Sequence, residues 1–272
     1  MTHPALIKNN VKVYGTGPKT LVLAHGYGCD QSMWRFIWPA FVEKYQIILY
    51  DLTGCGNSDL SAYDFDAYQK LEAHAADLIS ILHTLDIAQC TVIGHSVSSM
   101  ISMLAAIEQP ALFEQLVMIC PSPRYINDDQ YEGGFSESDI MGLLDAQDSN
   151  YLGWSSDIAP MIIGDPHQLD LQVELANRFC RNNPDIARHF AKATFLSDYR
   201  IDLPKLQTPT LIIDCAFDRL APLSVGTFME QSIPHTTRTT LQLQGHCPHL
   251  SAPNATVRAI QHFLLASEKK SK

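Results

Sequence analysis

Gly94-His95-Ser96-Val97-Ser98 decides how this chain is read. It stands between an apolar run, Cys90-Thr91-Val92-Ile93, and a helix-like run, Met100-Ile101-Ser102-Met103-Leu104-Ala105-Ala106. A serine among small residues, where a strand turns sharply into a helix, is the layout of a nucleophile elbow. The strained turn lifts the hydroxyl above the sheet edge and sets it beside the free N–H groups of the helix start. The fifth position is Ser98, where such turns usually carry glycine; the turn needs a small residue there, and serine is small.

Outward from the elbow, short bounded apolar runs recur at Leu21–Ala24, Ile47–Tyr50, Leu116–Ile119 and Leu211–Ile213. Apolarity without alternation predicts strands buried on both faces, as in a parallel sheet. Asn10–Tyr14 alternates and predicts an antiparallel edge strand. Between the strands, Leu71–Leu85 repeats apolar residues at three- and four-residue steps. The last helix places Val257, Ile260, Phe263 and Leu264 on one face before fraying into Lys269–Lys272. The alternation stops after Pro121. From Tyr125 to Arg200 the periodicity shows helices at Ser136–Asn150, Asp170–Arg181 and Pro184–Leu196, with Ser136 and Asp170 as N-caps. A helical block between two strands of a sheet predicts a lid over the strands' C-terminal edge, where open α/β sheets bind ligands. The expected division is a core of residues 1–124 and 201–272 with a lid at 125–200.

Composition narrows the function. The chain has 272 residues, 46% hydrophobic, with a formal net charge of −10. That is the size of one α/β domain with an insertion. The charge argues against nucleic acid and anionic membranes. No apolar run nears the roughly 20 residues that span a bilayer, and the N-terminus lacks a signal-peptide core, so a cytoplasmic monomer is the expectation. The seven cysteines are scattered and odd in number, with no Cys-x-x-Cys, which predicts neither a disulfide framework nor a zinc ribbon.

A serine nucleophile needs a base, an acid to orient the base, and donors for the oxyanion. His246 follows the strand-like Thr239–Gln244 and can reach across to Ser96; His249 is expected to pack behind it. Asp218, just past the Leu211–Ile213 strand, is the acid, with Asp214 as the more structural runner-up. The oxyanion donors are the backbone N–H of Val97 and that of Tyr27 in His25-Gly26-Tyr27-Gly28, after the Leu21–Ala24 strand. Asp51–Ser58 reads as a structural turn. No metal is expected, because two close histidines lack an obvious third ligand, and no cofactor is needed. The substrate pocket is assigned to Tyr27, His95, Tyr125, Phe135, Trp154, Ile158, Phe190 and Phe195, with Met161 nearby. These residues suit a small, neutral, apolar substrate.

Taken together, His25–Ser32, Gly94–Ser98, Pro121–Asn127, Tyr131-Glu132-Gly133-Gly134-Phe135 and Gly245–Ser251 resemble one branch of the α/β hydrolases. That branch holds the bacterial stress-response regulator RsbQ and the plant karrikin and strigolactone receptors. The order Ser96, Asp218, His246 is the α/β-hydrolase order. The resemblance implies a mostly parallel sheet under a V-shaped lid of four helices, and the triad Ser96, Asp218, His246. It further implies slow cleavage of a small apolar ester, lactone or enol ether coupled to signalling. RsbQ itself works with a phosphatase partner.

Overall fold

The computed structural model describes residues 3–270. Seven strands form one sheet: β1 (Lys12–Tyr14), β2 (Lys19–Ala24), β3 (Tyr45–Tyr50), β4 (Cys90–His95), β5 (Phe113–Ile119), β6 (Thr210–Phe217) and β7 (Thr236–Gln244). Their order is β1-β3-β2-β4-β5-β6-β7, with every pair parallel except β1 against β3. Among the described residues, ten α-helices accompany them: α1 (Pro4–Lys8), α2 (Glu72–Thr84), α3 (Val97–Glu108), α4 (Glu137–Ser149), α5 (Tyr151–Ile163), α6 (Leu169–Arg181), α7 (Pro184–Phe195), α8 (Leu223–Ser232), α9 (Pro248–Ser251) and α10 (Pro253–Lys270). The α/β-hydrolase architecture expected from the sequence is the one found, including the antiparallel edge strand.

The apolar runs serve both faces of the sheet. In β4, Val92 joins the layer with Leu78, Met100 and Met229, while Ile93 joins the opposite layer with Trp34, Phe41 and Ile260. Because each residue in a central strand is covered, the sequence cannot alternate there. The chain runs outward from β2 to β3, then crosses back to β4 and proceeds the other way. The switch therefore falls between β2 and β4, where the edge opens a crevice. The loops after β2, β4, β6 and β7 all leave at this edge.

Four helices, α4 to α7, lie between β5 and β6. Periodicity alone predicts three. It misses α5, whose interior Gly153 and Pro160 weaken the helical signal and whose apolar residues are not confined to one stripe. Its ends are nonetheless marked: Asn150 accepts a hydrogen bond from the Gly153 N–H at 3.0 Å, and Gly164 closes it at φ 76°. Asp170 is not the cap of α6. The cap is Gln168, two residues earlier, after a turn in which Asp165 accepts from the His167 N–H and the Gln168 side-chain amide. Asp170 instead lies in the first turn, where its charge suits the helix dipole. Ser136 caps α4 as expected, in a reciprocal box with Asp139. At the C-terminus the helix runs on to Lys270; Ser271 and Lys272 lie outside the described residues.

Candidate active site

Ser96 follows β4 and caps α3 at φ 55°, ψ −122°, a conformation that favours glycine. Two bonds hold the turn: the Ser96 N–H donates to the Ile119 carbonyl of β5 at 2.8 Å, and the Ser99 N–H donates back to the Ser96 carbonyl at 2.9 Å. The tight approach of Gly94 to the Ser98 backbone, which leaves no room for a Cβ, lets the helix fold back on the strand. Ser98 does more than stay small. Its buried hydroxyl donates to the His25 carbonyl at 2.5 Å, tying the elbow to the loop after β2.

Across the crevice, His246 Nε2 lies 2.8 Å from Ser96 Oγ, and His246 Nδ1 lies 2.7 Å from Asp218 Oδ2. With Asp218 ionised, Nδ1 carries the proton and donates it, leaving Nε2 to accept from the serine hydroxyl. Burial opposes ionisation of Asp218. The neighbouring His246 and the N–H groups of Leu220 and Ala221, donated at 2.8 and 3.2 Å, outweigh it and hold the carboxyl below its ordinary value. His246 is positioned from an unexpected side. The His246 N–H donates at 2.7 Å to the Ile162 carbonyl, at the C-terminal end of α5. Gly245, at φ 87°, passes so close under Ile163 that a Cβ would meet its carbonyl oxygen at 1.9 Å. The inserted helices thus help to set the histidine.

In the loop after β2, the Cys29 N–H donates to the Gly26 carbonyl at 3.3 Å, closing a turn around Tyr27. Among the described residues, the backbone N–H groups of Tyr27 and Val97 donate to no protein acceptor. His25 fixes the loop base: its Nδ1 donates to the Gly26 carbonyl at 2.8 Å and its Nε2 accepts from the Leu52 N–H at 3.0 Å. Asp51 has the structural part expected of it, accepting from the Gln31 and Asn57 N–H groups at 2.8 and 2.9 Å. Asp214 is drawn away from the site to Arg238 Nε at 2.5 Å.

The eight expected pocket residues separate into three groups. Tyr27, His95, Tyr125 and Phe195 line a small cavity of about 30 Å³ at Ser96, together with residues the sequence did not single out, among them Cys29, Leu175, Phe179 and Leu220. Burial lifts the Tyr125 phenol to about 12, with a hydrogen bond to the Ser96 hydroxyl pulling the other way. Phe135, Trp154 and Ile158 instead line a separate, open cavity of about 900 Å³, with Leu143, Met161 and Asp218. Phe135 is held outward because its N–H and carbonyl pair with the Tyr125 carbonyl and Asn127 N–H. Phe190 lines neither space; its ring packs between Tyr27 and His74, at 5.4 and 4.7 Å between centroids. Distant helices supply these residues, so no spacing in the chain announces which of them meet.

His249 packs behind His246, its ring 4.3 Å from that of His95 and 4.8 Å from that of Trp34. The fold also adds what the spacing did not show: Cys247 brings a third possible ligand atom within 4.8 Å of those of His95 and His249. Metal binding requires a thiolate and free imidazole nitrogens. Burial pushes the Cys247 thiol well up, and His95 donates its Nε2–H to the His246 carbonyl at 2.8 Å, while His95 Nδ1 and both ring nitrogens of His249 have no hydrogen-bond partner. Through that bond His95 supports the His246 loop. All seven cysteines are free thiols.

Ser96 at positive φ and the His246–Asp218 pair hydrogen-bonded in line with it stand together at one edge of a sheet with α/β-hydrolase topology. The chain belongs to the alpha/beta hydrolase family, which it matches over residues 21–259. Within that family it falls in the branch of the karrikin and strigolactone receptors and RsbQ-like esterases. It is 39% identical over 262 residues to Karrikin insensitive 2 receptor IA of Petunia hybrida, covering 94% of this chain and 96% of that protein. It is 38% identical over 263 residues to Strigolactone esterase D14 of Arabidopsis thaliana, covering 96% and 98%. Among solved structures it superposes on a hydrolase from Oleispira antarctica, olei00960, with a TM-score of 0.94, 40% identity and 96% of each chain covered. No helix among the described residues is long and apolar enough to cross a membrane.

Proposed function

We propose that this chain is a serine hydrolase that cleaves a small, neutral, apolar ester or lactone through Ser96, His246 and Asp218. The observation that carries the reading is the unbroken line Asp218–His246–Ser96, with bonds of 2.7 and 2.8 Å. Ser96 Oγ attacks the carbonyl while His246 Nε2 takes its proton. The oxyanion forms between the N–H groups of Tyr27 and Val97, which desolvated surroundings make effective donors. His246 then protonates the departing alkoxide, and a water deprotonated by His246 releases the acyl group. Asp218 keeps the proton on Nδ1 and stabilises the imidazolium.

Residues 125–200 act as a lid on a core of residues 1–124 and 201–272. The cavity at Ser96 is small, about 30 Å³, and parting of the lid helices is what admits a larger substrate to the serine. The open cavity on the far side of the Asp218 loop is the antechamber, and its apolar lining suits an apolar compound. An enol ether with an activated carbonyl fits the same machinery. A receptor reading, in which slow hydrolysis reports a ligand to a partner protein at the lid, is favoured by one observation. The relatives that match nearly the whole chain include proteins named as receptors.

The test is hydrolysis of p-nitrophenyl acetate by the wild type and Ser96→Ala, with the intact mass measured after exposure to apolar esters and lactones. The expected result is a loss of at least about 10³ in kcat for the variant and an acyl adduct confined to proteins with Ser96. Equal rates would sink the proposal. Adduct formation without turnover, together with ligand-dependent capture of one defined partner, would establish the receptor reading.

A further inference from the structure

Tyr27 has a second attachment that the hydrolytic reading leaves unused. Its phenol donates to the Ala187 carbonyl of α7 at 2.7 Å and accepts from Gln147 Nε2 of α4 at 2.7 Å. Its ring lies edge-on to Trp154 of α5 at 6.4 Å and tilts against Phe179 of α6 at 6.2 Å. One side chain thus touches all four inserted helices. Phenylalanine would make the same ring contacts, so the hydroxyl adds a buried polar link between α4 and α7 to the outer pairing of Arg188 with Asp148 and the packing of Leu144 on Ala191. Gln147 is fully buried, and its bond to Tyr27 is the one its side chain makes among the described residues; its Oε1 has no partner. A buried amide held by a single phenol is costly to leave there unless that bond is made.

The next residue repeats the connection. The Gly28 carbonyl accepts from Asn182 Nδ2 at 2.7 Å, and the Phe179 ring sits where a Gly28 Cβ would be, 2.6 Å away, with Gly28 at φ 66°. The loop that carries the free Tyr27 N–H is therefore fixed to the inserted helices at two consecutive residues.

We propose that the Tyr27 hydroxyl is a latch: it holds α4 and α7 together over Ser96, keeps the cavity there small, and limits the acyl group the site accepts. Through the same residue it positions the oxyanion amide, so Tyr27 is a positioning residue through its side chain. The limit on acyl size rests on the hydrolytic reading; the latch itself does not. A short acyl group needs little opening, whereas a long one requires α4 and α7 to part and both bonds at the phenol to break.

Three variants test this: Tyr27→Phe, Gln147→Leu and the double substitution. Backbone amide hydrogen exchange across residues 137–149 and 184–195 is measured without ligand, and kcat and KM are measured for p-nitrophenyl acetate, butyrate and octanoate. Loss of the latch should speed exchange in both helices about tenfold in Tyr27→Phe and a few-fold in Gln147→Leu. The double variant should go no further than Tyr27→Phe, because the two groups share one bond. The octanoate-to-acetate ratio of kcat/KM should rise in both single variants. Exchange within twofold of wild type in both overturns the latch, whatever the esterase result. Faster exchange with an unchanged acyl-length ratio overturns the control of substrate size. Absence of Ser96-dependent turnover overturns the hydrolytic reading and the acyl limit, while the exchange data still decide the latch.

Discussion

His74 gives the sharpest quantitative expectation. It sits in α2 with its ring 4.7 Å from both Tyr68 and Phe190, and neither ring nitrogen has a hydrogen-bond partner. Burial lowers its pKa to about 4, against the opposing pull of Asp77. In the unfolded chain the value is about 6.5. Between these limits the unfolded state binds a proton that the native state does not, so stability is full above pH 6.5 and falls as the pH drops towards 4. Each pH unit in that window removes about 1.4 kcal/mol, so at pH 5 the loss from His74 is about 2 kcal/mol. His95, held at about 3 by burial, loses a similar amount over the same interval, and His249 shifts in the same direction. The two histidines together should therefore cost about 4 kcal/mol between pH 7.5 and 5.0, a large part of the stability of an ordinary domain. The discriminating variant is His74→Leu, which fills the space without a titratable group. Urea unfolding followed by tryptophan fluorescence should give variant and wild type stabilities within about 1 kcal/mol at pH 7.5. At pH 5.0 the balance should have moved about 2 kcal/mol in favour of the variant. An identical pH slope for the two proteins would refute the reasoning, because it would mean that native His74 takes up its proton as readily as the unfolded chain.

Asp218→Asn should lower kcat on p-nitrophenyl acetate by about 10⁴, because a carboxamide N–H facing Nδ1 reverses the tautomer that Ser96 needs. Asp214→Asn should instead keep kcat within a few-fold and lower the melting temperature, since it weakens the bond to Arg238; a reversal of these two results would make Asp214 the acid. Ser96→Gly should be about 1 kcal/mol more stable than Ser96→Ala, because glycine adopts φ 55°, ψ −122° without strain. Equal denaturation midpoints would show that the elbow stores no strain.

The two-sided burial of the central strands was legible because it leaves a local mark, the unbroken apolar runs of β2, β4 and β5. The elbow was legible for a similar reason: a strand, a serine among small residues and a helix are contiguous in the chain. Because every parallel strand ends at the same sheet edge, Ser96, Asp218, His246 and Tyr27 could be gathered there from their places after strands alone. Helix α5 left a weaker mark, since tertiary packing overrode the low propensity of its glycine and proline.

The sequence by itself therefore determined the sheet, the insertion and the candidate residues at the sheet edge, all of which follow from local periodicity and chain order. Only the tertiary structure decided which side chains from α4 to α7 reach Ser96. It put Phe135, Trp154 and Ile158 in the outer cavity, buried Phe190 behind Tyr27, and carried Asp214 off to Arg238. It brought Gln147 to the Tyr27 phenol and the Ile162 carbonyl to the His246 N–H. Such meetings join positions more than 80 residues apart in the chain, and they are fixed by how helices pack against a sheet edge, for which neither a two-residue nor a 3.6-residue period carries information.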